Sequence, residues 1–261
     1  LQVLEGKAPP ALYEGSTKDR LLRETGMEVF QLDFSAVKEE RPEEFFQKVL
    51  LDTLHAKGVC CGFNYSFGVG GSGTPALLEQ LCREAGIAFR AVPAKKQNGL
   101  VISSTAIRQA IEEGRMEEAN NLLGRPFCFA GPVTHGDGRG RTWGIPTINQ
   151  PYPQDLVVPK KGVYLSRVTL DGVSYTGVTN IGVRPTERMG ETLSAETFVL
   201  DFHGNLYGKT PQISLYRFLR PEQKFPDFTA LQEQIRKDIK AAEEAEKNGL
   251  FTSSPDLLLQ R

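Results

Sequence analysis

Four clusters in the sequence set polar residues at spacings that could carry chemistry. In Gly131-Pro-Val-Thr-His-Gly136-Asp-Gly138-Arg139-Gly140-Arg141, glycines leave backbone amides without side-chain cover and two guanidinium groups flank them. That composition suits polyphosphate; a solvated hairpin is the other reading. Gly144-Ile-Pro146-Thr147-Ile-Asn149 follows at once. On an extended chain Thr147 and Asn149 share one face, as a magnesium or phosphate site requires. Taken alone, the same two residues also fit a turn. Glu196 lies in the run Leu193 to Phe202, where alternation puts it on the face of Phe198, Leu200 and Phe202. A carboxylate there needs a partner or a task. Pairing with Arg184 or Arg217 answers the first need; service as a general base answers the second. Finally, Ile102-Ser103-Ser104-Thr105-Ala106-Ile107-Arg108 puts hydroxyls and free amides at a helix start, with an arginine one turn in. This is either an anion site or plain N-capping by Ser103 or Ser104.

Other strings say less. Gly68-Val-Gly70-Gly-Ser-Gly73 satisfies the dinucleotide G-x-G-x-x-G pattern, but the next strand, Phe89 to Pro93, does not end on the acid that pattern needs. A flexible turn near a ligand is expected instead. No P-loop string occurs. Cys60, Cys61, Cys82 and Cys128 form no C-x-x-C and read as free thiols, while His55, His135 and His203 are scattered. Any metal is therefore expected to be a hard cation held by oxygens.

The elements that must position these groups change character along the chain. From Ser16 to Leu123 the pattern alternates: a helix from Lys18 to Glu24, a strand from Val29 to Phe34, a helix across Pro42 to Leu54, a strand at Gly58 to Cys61, a helix at Pro75 to Ala85, a strand at Ala88 to Pro93, then a helical hairpin stopped by Gly114 and Gly124. After Gly124-Arg125-Pro126 come strand-like runs at Phe127 to Val133, Gly162 to Leu170, Val173 to Ile181, Leu193 to Phe202 and Gln212 to Leu219. Runs so spaced, without helices between them, predict a closed or nearly closed antiparallel barrel. The tail turns helical, with Phe228, Leu231, Ile235, Ile239 and Ala242 on one face and Gly249 as its stop. A length of 261 residues allows about two domains, read as 1–123 and 124–261. With 31 Lys plus Arg against 32 Asp plus Glu, no global field attracts nucleic acid or an anionic membrane. No run is long enough for a membrane helix and no signal peptide is visible, so a cytoplasmic protein acting on small molecules is expected. The sequence leaves the oligomeric state unassigned.

As a set these residues resemble the prokaryotic bifunctional riboflavin kinase/FMN adenylyltransferase (FAD synthetase) family. The resemblance rests on Ile102 to Arg108, Leu122-Leu-Gly-Arg-Pro126, Gly140 to Asn149, Gly162-Val-Tyr164, Asn180-Ile-Gly-Val-Arg-Pro-Thr186, Glu196 to Asp201, Leu206-Tyr-Gly208 and Phe218-Leu-Arg-Pro-Glu222, in the family's order. It implies an α/β nucleotidyltransferase (Rossmann-like) domain, then an all-β six-stranded barrel riboflavin kinase domain with a C-terminal helix. It implies that Mg2+ and ATP phosphorylate riboflavin to FMN and that FMN is adenylylated to FAD with release of pyrophosphate. By the family pattern Thr147 and Asn149 hold Mg2+ and ATP phosphates, and Glu196 is the catalytic base. The loop carrying Gly136, Gly138, Arg139, Gly140 and Arg141 covers the phosphates. In the first domain Ser103, Ser104, Thr105 and Arg108 meet ATP, and the element holding Asn64 and Phe67 receives the flavin; Arg220 lies on the flavin side of the kinase. The family's Gly-x-Phe-Asp-Gly-x-His-x-Gly-His element does not occur in this sequence and is expected upstream of it. Ser66, Ala106, Thr74 and Asn205 also depart from common family residues. Two alternatives stay open: a riboflavin kinase with an inactive adenylyltransferase-like domain, and a non-catalytic flavin-binding regulatory protein.

Overall fold

The computed structural model describes residues 9–97, 99–136, 140, 144–186 and 190–251. It divides into two compact units, one holding Leu21–Ile102, the other Pro10–Arg20 together with the chain from Ser103 onward. In chain order the first elements are α1 (Gly15–Glu24), α2 (Phe34–Val37), α3 (Pro42–Phe45), β1 (Gly58–Gly62), α4 (Pro75–Glu84), β2 (Ala88–Val92), β3 (Lys96–Gln97) and β4 (Leu100–Val101). Then follow α5 (Ser104–Glu112), α6 (Met116–Leu123), β5 (Phe127–Ala130), β6 (Thr147–Pro151), β7 (Gly162–Leu170), β8 (Val173–Thr186), β9 (Gly190–Val199), β10 (Gln212–Arg220) and α7 (Phe228–Lys247).

In the first unit β1 and β2 pair in parallel, Gly58 beside Ala88 through Gly62 beside Val92, with α4 as the crossover. This is the α/β rhythm of the sequence. Thr74 caps α4 by accepting from Leu77 N, and Pro75 opens the helix where no amide is needed. One expectation holds with a different winding and one fails here. The helix across Pro42 to Leu54 is wound as a π-helix from Phe46 to Thr53, with Leu54 N bonding Val49 O at 3.0 Å. The strand from Val29 to Phe34 does not form: residues 27–33 carry no regular structure, and α2 starts at Phe34 under an Asp33 cap. Phe30, Leu32 and Phe34 alternate as a strand would, yet a strand needs a ladder, and among the described residues none runs beside them; all three remain exposed.

The second unit is a six-stranded antiparallel sheet in the order β5-β10-β7-β8-β9-β6. An isolated antiparallel bridge from Thr134 to Asn149 joins the segment after β5 back to β6, so the sheet curls close to closure. Thr147–Pro151, which the sequence reading left open between extended chain and turn, is the strand β6 at the end of that order. β9 stops at Val199 rather than Phe202, because the chain turns through Asp201 at φ 54°.

The sheet has two differently filled faces. The inner one buries Tyr164, Ile181, Ala195, Ile213 and Leu215, plus a hydroxyl chain in which Thr179 bonds both Ser166 and Thr197. On the outer one Val163, Leu165 and Val178 pack with Phe198, Leu200 and Leu219 against Ile239, Ala242 and Ala245 of α7. The apolar stripe of the tail helix thus packs on the barrel, and Gly249 at φ 74° ends it as expected. Asn120 on α6 ties the helical hairpin to the sheet, accepting from Phe127 N and donating to Leu215 O, each at 2.8 Å. All four cysteines are free. Burial pushes the Cys128 thiol up to about 11, so it stays protonated and inert at neutral pH.

Candidate active site

The strand register assembles a polar row on the α7 side of the sheet. In an antiparallel ladder directly opposed residues share a face with Cβ atoms about 4.5–5.5 Å apart. Asn149 on β6 lies opposite Glu196 on β9, and Glu196 lies opposite Asn180 on β8. On the same face, two residues along, Thr147 opposes Phe198 and Phe198 opposes Val178. Thr147, Asn149 and Glu196, singled out far apart in sequence, are therefore neighbours at one edge of the outer face. Glu196 is half-buried among amides, next to the apolar cluster under α7.

Asn149 carries an energetic cost in this row. It is 8% exposed, and its Oδ1 has no hydrogen-bond partner among the described residues. Such an atom loses water without compensation, a cost of about 1–3 kcal/mol, and it points to something the oxygen is meant to bind. Its backbone carbonyl is engaged: Thr134 N donates to Asn149 O at 2.8 Å, and Thr134 Oγ1 donates to the same oxygen at 3.3 Å. Its neighbour Gln150 points to the other face, where Nε2 donates to Gly131 O and Pro211 O and Oε1 likewise has no partner among the described residues.

The glycine loop enters this corner at Gly140. A Cβ there would strike the Ile145 carbonyl oxygen at 2.5 Å, so glycine is needed for this turn, which lies beside the Thr147 hydroxyl at 3.5 Å. Gly136 sits at the loop's start beside His135, whose ring stacks on Tyr207 at 4.0 Å. Gly138, Arg139 and Arg141 lie outside the described residues.

Arg220 does not reach out freely. It ends β10 with Nε and Nη2 on both carboxylate oxygens of Asp238 in α7, at 2.7 to 3.1 Å. Of the two arginines weighed as partners for Glu196, Arg217 bonds Glu117 instead, and the Arg184 side chain lies outside the described residues.

The residues expected around the other reaction fall in both compact units. Ser103 caps α5, its Oγ accepting from Ala106 N at 3.2 Å, while Ser104 and Thr105 are exposed at that helix start and Arg108 Nε donates to Pro10 O at 2.6 Å. Asn64 is exposed in the first unit, and Phe67 is buried there, stacked on Tyr65 at 5.7 Å. Phe67, Tyr65, Phe45, Val59 and Cys61 line an apolar cavity of about 240 Å3. The Gly68 to Gly73 string has a packing reason: a Cβ at Gly73 would strike the Phe67 ring, and Gly68, Gly70 and Gly71 all adopt positive φ.

Sequence reasoning missed Asn180 and Asp238 as site-forming residues. Asp238 gave a signal of the same kind as Glu196, a carboxylate placed i+3 from Ile235 and i−4 from Ala242 on an apolar stripe. Asn180 opens one of the motifs that carry the resemblance, but gave no sign of its role until the register put it beside Glu196.

Comparison with known proteins matches residues 123–246 to the family model described as riboflavin kinase and residues 1–106 to that described as FAD synthetase. The bifunctional riboflavin kinase/FMN adenylyltransferase of Listeria monocytogenes is 41% identical over 199 residues, which cover 76% of this chain and 62% of the relative. The Bacillus subtilis protein of the same description is 37% identical, covering 77% and 64%; that of Escherichia coli is 36% identical over 244 residues, covering 91% and 76%. The chain thus spans less than two thirds of the length of the first two. A solved structure described as a macrolide-efflux protein from Streptococcus pneumoniae superposes with a TM-score of 0.81 at 31% identity, covering 89% of this chain and 75% of that one.

Proposed function

The chain belongs to the bifunctional riboflavin kinase/FMN adenylyltransferase family, and from that premise we propose that it phosphorylates riboflavin to FMN with ATP and adenylylates FMN to FAD. One observation carries the kinase half: the orphaned Asn149 oxygen beside Thr147, directly opposite Glu196. Thr147 and Asn149 take the phosphate end of ATP under the Gly136 to Arg141 loop. Glu196 accepts the proton of the terminal side-chain hydroxyl of riboflavin as that oxygen bonds to the γ-phosphorus and the bond to ADP breaks. The reaction asks mainly for positioning and charge neutralisation. Mg2+ fits the donor set, since a buried amide oxygen and a hydroxyl are hard ligands and no group of three His, Cys, Asp or Glu among the described residues offers a competing site. When bound, it supplies neutralisation of phosphate charge.

For the adenylyl step, Ser103, Ser104, Thr105 and Arg108 are assigned to ATP, and Asn64 and Phe67 to the flavin. We assign the adenylyl step to residues 1–123 and the kinase step to residues 124–261, a division supported by the matched segments 1–106 and 123–246. Phe67 at the apolar cavity supports a planar ring there. A cytoplasmic location with small-molecule substrates completes the reading. No helix among the described residues is long and apolar enough to cross a membrane.

Asn149→Leu tests the phosphate corner. It removes an unsatisfied buried oxygen at similar volume, so the thermal midpoint should not fall, while the KM for Mg-ATP should rise about tenfold or more, as expected for a lost hydrogen bond to a charged group. An unchanged KM with an unchanged metal requirement would remove Asn149 from the site.

A further inference from the structure

Arg108 is oriented by a segment that lies 98 positions before it: its Nε donates to the Pro10 carbonyl at 2.6 Å. A guanidinium carries five N–H donors, so engaging Nε leaves the four on Nη1 and Nη2, which can grip phosphate oxygens in parallel. Among the described residues those four meet no partner. Pro10 is itself pinned through its neighbour. Ala11 forms a parallel bridge with Leu156, donating its N–H to Asp155 O at 2.7 Å and accepting from Val157 N at 2.9 Å. Glu14 fastens the other end of this strap, its Oε1 accepting from Ala130 N of β5 at 2.8 Å. Asp155 to Val157 lie in the connection from β6 to β7, which is tied down in turn: Tyr152 N donates to Leu193 O at 3.0 Å, Tyr152 OH donates to Val157 O at 2.7 Å, and Leu156 and Val157 are buried. The same connection reaches α5, where Lys160 N donates to Ile111 O at 3.2 Å. All these residues fall in the second compact unit, with the six-stranded sheet.

The Ala11 bonds secure the strap to the barrel, but they do not explain why the exposed Pro10 carbonyl takes the arginine. An arginine loses rotamer freedom when it is fixed on a ligand, and a side chain already held by Nε has less to lose. Resting on the adenylyl reading above, we infer that Pro10 and Ala11 are positioning residues of the adenylyl step: through them the kinase barrel sets the guanidinium plane of Arg108 against the phosphates of ATP. In that step an FMN phosphate oxygen bonds to the α-phosphorus, the bond from that phosphorus to the bridging oxygen breaks, and its electron pair leaves with pyrophosphate. A guanidinium with both Nη atoms turned to the leaving phosphates neutralises that charge without first having to be ordered.

The test supplies FMN, ATP and Mg2+, reads FAD and pyrophosphate, and runs riboflavin phosphorylation on the same preparations as a control. Ala11→Pro removes the N–H given to Asp155 O and shifts the Pro10 carbonyl. The KM for ATP in FAD formation should rise about tenfold, while kcat and both KM values of FMN formation stay unchanged. In an Arg108→Ala background the same substitution should add nothing, because the strap acts only through that side chain. An unaltered KM for ATP in FAD formation, an equal rise in the Arg108→Ala background, or a parallel loss of both activities overturns the inference and leaves the adenylyl reading standing. If Ala11→Pro lacks a cooperative thermal transition, the other end of the strap decides: Glu14→Ala should raise that KM, and Glu14→Gln, which keeps an acceptor for Ala130 N, should restore it. Matching constants in those two variants overturn the inference. Wild type that forms FMN but no FAD overturns the adenylyl reading and the positioning role with it.

Discussion

Replacing Glu196 with Gln is expected to lower FMN formation by about two to four orders of magnitude, the range a positioned general base contributes. The amide keeps the volume of the carboxylate and can still hydrogen-bond to its row, but it cannot take a proton at neutral pH. Riboflavin and Mg-ATP should therefore still bind, and kcat should fall with little change in either KM, the pattern of an interaction made only in the transition state. Single-turnover measurement of FMN separates this from slow product release. Undiminished turnover in Glu196→Gln would take Glu196 out of the chemistry and leave it as a residue of the polar row.

The second large effect falls on stability. Asp238 is nearly buried in α7 and receives three hydrogen bonds from Arg220 and one from Gln234 at 3.0 Å. Removing one partner of such a pair strands the other charge against the sheet, and Asp238→Ala is expected to cost about 3 kcal/mol. Arg220 is 18% exposed, so part of its charge can reach water, which holds the expected cost at the lower end of the range. Urea unfolding checks this: the midpoint should drop with an unchanged slope. A loss below about 1 kcal/mol would mean that the pair behaves as a surface ion pair and does not anchor α7 to β10.

The change of rhythm near residue 125 was legible because strands at short spacing and an amphipathic tail are local patterns, and both formed. The polar row was half legible. Thr147, Asn149 and Glu196 could each be picked out as polar residues with a reason to be there, yet Thr147 and Asn149 stand more than forty positions before Glu196, and only strand order brings them together. Asn180 opens one of the motifs that carry the resemblance, but its role could not be read, since an amide in a strand has many uses until its neighbours are known. The failed strand from Val29 to Phe34 shows the converse. Its alternation was a sound local signal, but a strand is defined by its neighbour, and the described residues give it none. The π-helical winding after Phe45 lies beyond periodicity reading, because its apolar spacing differs too little from that of an α-helix over eight residues.

The most direct test of the whole account is to incubate the protein with riboflavin, ATP and Mg2+ and separate the flavins and nucleotides by chromatography. FMN with stoichiometric ADP, followed by FAD with pyrophosphate, is the expected result. FMN alone would keep the kinase and withdraw the adenylyl step assigned to Ser103, Ser104, Thr105 and Arg108. Riboflavin recovered unchanged, with ATP intact, would contradict the central claim.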